Sequence, residues 1–462
     1  MNEIDDPNKN PESDGSPDSN GATAPDETAP TPELRIEKLV TGGAGLARQD
    51  GRAVFVPLTA PGDLASVRIT QHKKGFAQAE LLAVIEPGPD RIDAPCPHYG
   101  QCGGCDLQHL TVPAQRRAKV DIVADCFRRL GKRDVTDLLA DAEPAGEPLG
   151  YRNRIRLFGS PLGPYGMMRR GTHEVVALDQ CPIMPEVFNR DILPWLRMLP
   201  PVEQLTVRLN NEGHWLISVF GPPTRMRILK KILAALEPGE APAPGCVGLM
   251  FNNLPVWGRD YLVYEVAGHS FRVSSRAFFQ GNLAVTGEAV GVVRAWLGEL
   301  QAAGQLGSML GDLFCGVGLF SLTLADMFEQ VIAIDTDPYA CRDAKNNVGR
   351  DQAAKGKVTV HKGPLANVLV GDDLGEQFAW RDACCVVDPP RTGLGKDGVK
   401  ALLTRGPRHI LFMSCDPATL ARDVAACADG GYTLTKLRVL DMFPQTAHIE
   451  TLALLERAAP GE

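Results

Sequence analysis

A change of rhythm at about residue 284 constrains this chain most. Beyond it, short apolar strands alternate with helical stretches. Met309 to Phe314 reads as a strand, followed by a helix from Leu319, a strand from Val331 to Ile334 and a helix from Pro338. Val358 to His361, Cys384 to Val387 and His409 to Met413 read as further strands, with helices near Lys396 and from Pro417. Ile449 to Leu455 reads as a last strand. Continuous apolar strands between helices belong to a parallel sheet covered on both faces. The expected fold class is therefore α/β, a doubly wound sheet. Such sheets bind ligands outside the carboxyl ends of their strands, so those ends carry the functional argument.

The segment Gly311-Asp-Leu-Phe-Cys-Gly-Val-Gly-Leu-Phe follows a buried strand and opens a helix. Gly316 and Gly318 allow a ligand to approach the backbone closely. The third Gly of the dinucleotide fingerprint is missing, which makes the helix start less suited to a pyrophosphate. Asp335 follows Gly318 by seventeen residues at the next strand end. A carboxylate there can accept both ribose hydroxyls of an adenosine. Together these features favour S-adenosylmethionine over NAD; a tight turn in an unrelated sheet is the plainer alternative.

Two further strand ends bear reactive groups. Cys384-Cys-Val-Val-Asp388-Pro-Pro-Arg391 offers a carboxylate before a rigid turn, and His409-Ile-Leu-Phe-Met-Ser-Cys415-Asp-Pro-Ala offers a thiol. Tyr in place of Arg391 would suggest methylation of an exocyclic amine. Arg and a neighbouring cysteine suit a different reaction. A thiolate adding to carbon 6 of uracil makes carbon 5 nucleophilic, and a base must then remove the carbon 5 proton. Cys415 precedes a helix, so its pKa is expected to be lowered. Glu450 on the last strand is a candidate base, although taken locally an ordinary exposed acid is the simpler reading.

The earlier half is organised differently. Residues 1–31 hold eight Asp or Glu and one Lys and almost no large apolar residue, so they are expected to form a disordered acidic tail. They carry most of the net charge of −8. The near-neutral remainder can present a basic face. Residues 32–90 alternate short apolar runs with Gly turns, including Gly42-Gly43-Ala44-Gly45, as a small β-barrel of four or five strands does. Residues 107–133 read as a basic helix, and 151–265 mix strands with turns.

Twelve cysteines are many for a chain with no secretory leader pattern and no apolar run long enough to span a bilayer. The chain is expected to be cytoplasmic, where a cysteine cluster signals metal or catalysis. Cys96, Cys102 and Cys105 form C-x5-C-x2-C, and Cys181 is the best fourth ligand. Four cysteines fit zinc or an iron–sulfur cluster. Arg116-Arg117-Ala-Lys119, Arg128-Arg129, Tyr151-Arg-Asn-Arg-Ile-Arg156 and Met167-Met-Arg169-Arg170 flank this region. Together with Tyr151 and Phe158 they suit phosphates and bases of RNA.

These residues resemble the bacterial RNA uracil-5-methyltransferases, in particular the iron–sulfur members acting on 23S ribosomal RNA. The resemblance covers roughly residues 32–456. It implies a [4Fe–4S] cluster on Cys96, Cys102, Cys105 and Cys181, and a TRAM-like (OB-like) barrel that holds RNA. The segment Phe278-Phe-Gln280-Gly-Asn282 is similar to one that contacts the cofactor, and further contacts fall on Phe314, Asp335 and Asp388. Ser414-Cys415-Asp416-Pro matches the nucleophile motif, and His448-Ile449-Glu450 the general-base motif. Leu319 and Pro364 depart from polar residues common in the family.

The resulting expectation is a class I methyltransferase domain over 266–462, a barrel over 32–91 and a β-rich iron–sulfur domain over 92–265. By resemblance, the helix at 107–133 packs on the catalytic domain. Cys415 attacks a uridine in RNA and Glu450 takes the proton. No membrane and no obligate protein partner are expected. The rivals are a transfer-RNA uridine methyltransferase, a non-catalytic RNA-binding or ribosome assembly factor, and a zinc-binding oxidoreductase.

Overall fold

The computed structural model describes residues 31–139, 146–160, 163–199, 202–234, 240–371 and 378–457. The acidic tail, apart from Thr31, lies outside them. Three large sheets carry the architecture.

The first has six strands, from Glu33–Arg35 to Phe76–Glu86. Its two edge strands are consecutive pieces of one segment. Glu33–Arg35 pairs with Leu64–Ser66, and Lys38–Leu39 pairs with Gly45–Leu46. The sheet thereby closes on itself, which removes open edges. Leu34, Ile36, Val54, Val56 and Val67 fill its interior.

The second sheet spans Arg154–Ser160 to Leu254–Gly258 in seven strands, all antiparallel to their neighbours except Trp215–Phe220 beside Cys246–Phe251. The helix Pro223–Ala234 makes that parallel crossover. Leu157, Phe188 and Trp215 pack on one face. On the other, the buried Arg208 donates from Nη1 to the carbonyl of Ala277 at 2.6 Å, which ties the sheet to the segment leading into the catalytic half.

The third sheet is the expected doubly wound one. Its order is Val358–Lys362, Gln330–Asp335, Met309–Leu313, Cys384–Val387, His409–Ser414, Glu450–Arg457, Tyr432–Leu440. The first five strands are parallel, and Glu450–Arg457 runs antiparallel between its two neighbours. Apolar clusters cover both faces, one built around Val293, Phe320 and Val386, the other around Ile332, Phe412 and Val424.

The structure departs from the expectations in several places, beginning with the barrel, which has six strands rather than four or five. The basic helix is shorter, Val112–Arg129, and lies against the helix Pro417–Asp429. A boundary at residue 265 would cut a hairpin, since Tyr261–Val266 pairs with His269–Ser274 and both pack into the catalytic core. The long helix Leu283–Ala302, capped by Asn282, was not foreseen. It is apolar on most sides, so it lacks a clear amphipathic stripe. Among the described residues no helix is long and apolar enough to cross a membrane.

Candidate active site

The strand Met309–Leu313 turns at Phe314, whose φ of 66° lies in the left-handed region. A bulky residue holds that conformation only where its surroundings impose it. The amide of Cys315 donates to the carbonyl of Ile334 at 2.9 Å, tying the turn to the next strand. Gly316 and Gly318 follow with φ of 54° and 94°. The two glycines serve different ends. A Cβ at Gly316 would meet nothing within 4 Å, so that backbone fronts open space, whereas a Cβ at Gly318 would lie 3.0 Å from Leu322 Cδ1. The close-approach role expected of both therefore fits Gly316 alone; Gly318 answers to φ and packing.

Asp335 folds back over this turn. Its Oδ2 accepts from the amide of Gly316 at 2.8 Å and its Oδ1 from the amide of Asp337 at 2.8 Å. Each oxygen keeps acceptor capacity for a further donor. Beneath the turn lies Asp312, which the sequence reading passed over. Its buried carboxylate accepts from the amide of Ser321 at 2.8 Å and from that residue's hydroxyl, pinning the helix Leu319–Thr323. Burial pushes its pKa up to about 6 against the pull of those bonds. An acid inside an apolar strand was the available signal. The departures Leu319 and Pro364 bring apolar side chains: Leu319 is buried in the apolar core and Pro364 precedes the helix Leu365–Val370.

Asp388 is anchored beside Phe314, its amide donating to the carbonyl of Leu313 at 3.2 Å. Gln280 Nε2 donates to Asp388 Oδ2 at 3.3 Å. Burial, followed by the charges of Asp312 and Asp335, raises Asp388 to about 7, with Gln280 opposing.

Cys415 follows the strand His409–Ser414 and precedes a helix capped by Asp416, whose Oδ1 accepts from the amide of Thr419 at 2.8 Å. Ser414 pairs with Thr451, so Glu450 begins the neighbouring strand opposite Cys415. The exposed-acid reading of Glu450 is overturned: it is 3% exposed. Burial and then the charge of Asp388 raise its pKa well above the usual carboxylate range. The expectation of a lowered pKa at Cys415 is also corrected. Partial burial, then the carboxyls of Glu450 and Asp388, push the thiol up to about 12, and only the Arg391 guanidinium among these neighbours favours the thiolate. Helix proximity is outweighed because desolvation penalises the charged sulfur.

Arg391 is therefore a site residue that sequence reasoning used only to exclude another reaction. Its Nη2 lies 3.0 Å from His448 Nδ1, and burial with the Arg391 charge lowers His448 to about 4. A neutral His448 accepts from the guanidinium. Asp388 is bonded to the strand that enters the glycine turn, and the strands ending at Asp388, Cys415 and Glu450 are neighbours, so glycine turn and thiol lie at one edge of the sheet.

The other four cysteines converge elsewhere. Cys96, Cys102, Cys105 and Cys181 line one cavity with Tyr99, Gln108, Ile155, Met167 and Leu178. Gly103 donates to the carbonyl of Met168 at 2.9 Å, docking the loop on the central sheet, and the amide of Cys181 donates to Asn189 Oδ1 at 2.7 Å. A Cβ at Gly103 would stand 2.9 Å from the Met168 carbonyl, which explains that glycine. Burial and then repulsion from the other cysteines raise Cys105 and Cys181 to about 12. Among the described residues, no group of three or more His, Cys, Asp or Glu is arranged to hold a metal ion as the side chains stand.

Comparison with known proteins follows the same division of the chain. Residues 369–458 match the tRNA (Uracil-5-)-methyltransferase family, and residues 33–89 match the TRAM domain of tRNA (uracil(54)-C(5))-methyltransferase. An uncharacterized RNA methyltransferase of Streptomyces coelicolor is 33% identical, over 93% of this chain and 93% of its own length. The 23S rRNA (uracil(1939)-C(5))-methyltransferase RlmD of Shewanella amazonensis is 31% identical, over 92% of this chain and 95% of its own length. The crystal structure of the Pyrococcus abyssi tRNA (uracil-54, C5)-methyltransferase with S-adenosyl-L-homocysteine shares the fold. Its TM-score is 0.68 at 22% identity, over 92% of this chain and 99% of that one. With relatives this similar along nearly its whole length, and a paired thiol and buried acid beside a glycine turn, the chain belongs to the RNA uracil-C5 methyltransferase family.

Proposed function

We propose that this enzyme methylates carbon 5 of a uridine in large-subunit ribosomal RNA, with Cys415 as nucleophile and Glu450 as general base. One observation carries the reading: Asp388, Cys415 and Glu450 stand together at the ends of three adjacent strands, with Glu450 opposite Cys415.

Carbon 5 of uracil is a poor nucleophile. The Cys415 thiol loses its proton to solvent as substrate binds; the thiolate adds to carbon 6, and the electron pair of the carbon 5–carbon 6 double bond shifts to leave an enolate with nucleophilic carbon 5. S-Adenosylmethionine supplies the electrophilic methyl group when bound; Phe314, Gly316 and Asp335 would hold it, with Gly318 setting the course of the turn. Gln280 and Asp388 present an amide and a carboxyl suited to orienting cofactor or uracil. Once methylated, carbon 5 still bears its proton. Glu450 removes that proton, the pair left behind forms the carbon 5–carbon 6 double bond, and the bond from carbon 6 to Cys415 breaks. The target base leaves its stack to reach the thiol.

Cys96, Cys102, Cys105 and Cys181 would hold a [4Fe–4S] cluster. The lining of their cavity offers four thiols and no His or carboxylate, the soft donor set that such clusters take. Loading requires the thiols to release protons. Methyl transfer uses no electron, so the cluster's part is structural. The barrel and the basic central sheet would hold the RNA.

Ribosomal RNA is preferred because the named relatives similar along the whole chain act on 23S rRNA. The second reading, transfer RNA, is favoured by the match at 369–458. Labelled methyl donor and separated RNA pools distinguish them: label is expected in large-subunit RNA, and label in transfer RNA alone rejects the first reading. RNA carrying 5-fluorouridine should trap the enzyme covalently, because no carbon 5 proton can leave. Native-rate methylation by Cys415→Ala would overturn the nucleophile assignment. Anaerobic purification should give a coloured protein containing iron; a colourless protein with stoichiometric zinc overturns the cluster.

A further inference from the structure

The connection between the strands Tyr432–Leu440 and Glu450–Arg457 runs from Asp441 to Ile449 and forms only turns and bends. It ends one residue before the general base. Buried backbone groups need partners, and this loop finds them far away in the chain. The amides of Asp106 and Leu107 both donate to the carbonyl of Gln445 at 3.0 Å. The amide of Ala447 donates to Asp106 Oδ2 at 3.0 Å. Gln115 Nε2 donates to Gln445 Oε1 at 3.0 Å, and the amide of Gln445 donates to Gln115 Oε1 at 2.9 Å. Tyr151 donates its hydroxyl proton to the carbonyl of Pro444 at 2.9 Å. Gln445 has a φ of 68°, which a residue with a Cβ keeps only when held.

Asp106 adjoins Cys105, whose sulfur lines the cysteine cavity. Arg170 fixes both, reaching Asp106 Oδ1 at 2.6 Å and the carbonyl of Cys105 at 3.0 Å. The barrel completes the enclosure. A Cβ on Gly43 would stand 2.9 Å from Ala447 Cβ and 3.2 Å from Asp106 Cβ.

We propose that Asp106 is a positioning residue for the methylation: it joins the cysteine cavity to the loop that aims Glu450, so that order at the four cysteines governs proton removal from carbon 5. The inference rests on the reading of Glu450 as the base. It assigns the cysteine site a task in the last half of the reaction, when the carbon 5 proton passes to Glu450 and Cys415 departs. Attack by Cys415 does not require the clamp.

The test compares the full-length native chain with Asp106→Ala, Asp106→Asn and Glu450→Gln on ordinary uridine RNA with labelled methyl donor. In Asp106→Ala, turnover should fall about tenfold to a hundredfold through misplacement of the base. Methylated RNA should then accumulate covalently on the protein, as in Glu450→Gln, while the adduct still forms at the native rate. Asp106→Asn keeps an oxygen for the Ala447 amide and should restore release. Hydrogen exchange at Gln445–Ala447 should quicken in Asp106→Ala and not in Asp106→Asn. Native turnover, or slowed attack without adduct build-up, overturns the proposal. If Glu450→Gln itself releases product normally, the base assignment fails instead. Unchanged exchange at Gln445–Ala447 then overturns the clamp independently.

Discussion

Glu450 opens the strand antiparallel to His409–Ser414, and after burial its carboxyl is the strongest influence raising the Cys415 thiol to about 12. The pair keeps the Cys415 sulfur in its neutral thiol form in the free protein. A neutral thiol is a weak nucleophile toward adventitious electrophiles. Of the charges named around Cys415, Arg391 is the one that favours the thiolate.

Alkylation reports this directly. Iodoacetamide should label Cys415 slowly at neutral pH in the free enzyme, and about tenfold faster per unit as pH rises from about 7 to 9. Removing the favourable charge in Arg391→Ala should slow labelling further. Mass spectrometry of the peptide carrying Cys415 gives the rate. A profile already flat at neutral pH would contradict a raised pKa.

Asp388 makes stability depend on pH. Its pKa rises from 3.8 in a free side chain to about 7 in the fold, because burial disfavours the charged form. Between those values the folded state binds more protons than the unfolded state. Stability contributed by the neutral carboxyl is therefore full at acid pH and declines as pH climbs through that window. Asp388→Asn should remove this component, so its Tm should fall less than the native Tm from about pH 4 to 7. Thermal melts of both chains across that range provide the check, and parallel curves would refute it. The variant should also lose methylation.

Lys119 is 1% exposed and donates from Nζ to Asp441 Oδ1 at 2.7 Å and to the carbonyl of Phe443 at 3.0 Å. Asp441 is shared, since its Oδ2 also accepts from Arg116 Nε at 3.3 Å. Lys119→Met therefore leaves Asp441 one cation and should destabilise the protein by about 1.5 to 3 kcal/mol in denaturant titrations. Adding Asp441→Leu and Arg116→Leu together should recover much of that loss. Recovery would not occur if Lys119 acted only through the Phe443 carbonyl.

Gly318 stands at φ 94° with Leu322 in the path of a Cβ. Gly318→Ala should cost about 1 to 2 kcal/mol of folding stability through the left-handed conformation. Calorimetric titration with S-adenosylmethionine should show weaker binding, since the turn that faces the ligand must shift. Unaltered affinity would separate this glycine from the cofactor site.

The catalytic sheet was legible because its central strands are mostly apolar, and two of them end at an acid, Asp335 and Asp388. Cys384–Val387 was read to the residue for that reason. Tyr432–Leu440 was missed: its mixture of Thr, Lys and Arg among apolar residues hides a strand that is half buried. The reactive residues were visible as types at strand ends, but their electrostatics were not. Cys415 and Glu450 owe their raised pKa values to burial and to each other's neighbours, which depend on strand order rather than spacing. The bond between Lys119 and Asp441 crosses 322 residues of sequence, and nothing local announces it.

The docking of the helix Val112–Arg129 against Pro417–Asp429 bears on how the protein can be made. That helix leaves the ribosome early and must wait, with a lysine destined for burial, until almost the entire chain has been translated. A fragment beginning at residue 266 would lack it and would expose a raw face on the helix that follows Cys415. The candidate active centre is thus walled in part by the first half of the chain, and a fragment cut at that point would lose that wall.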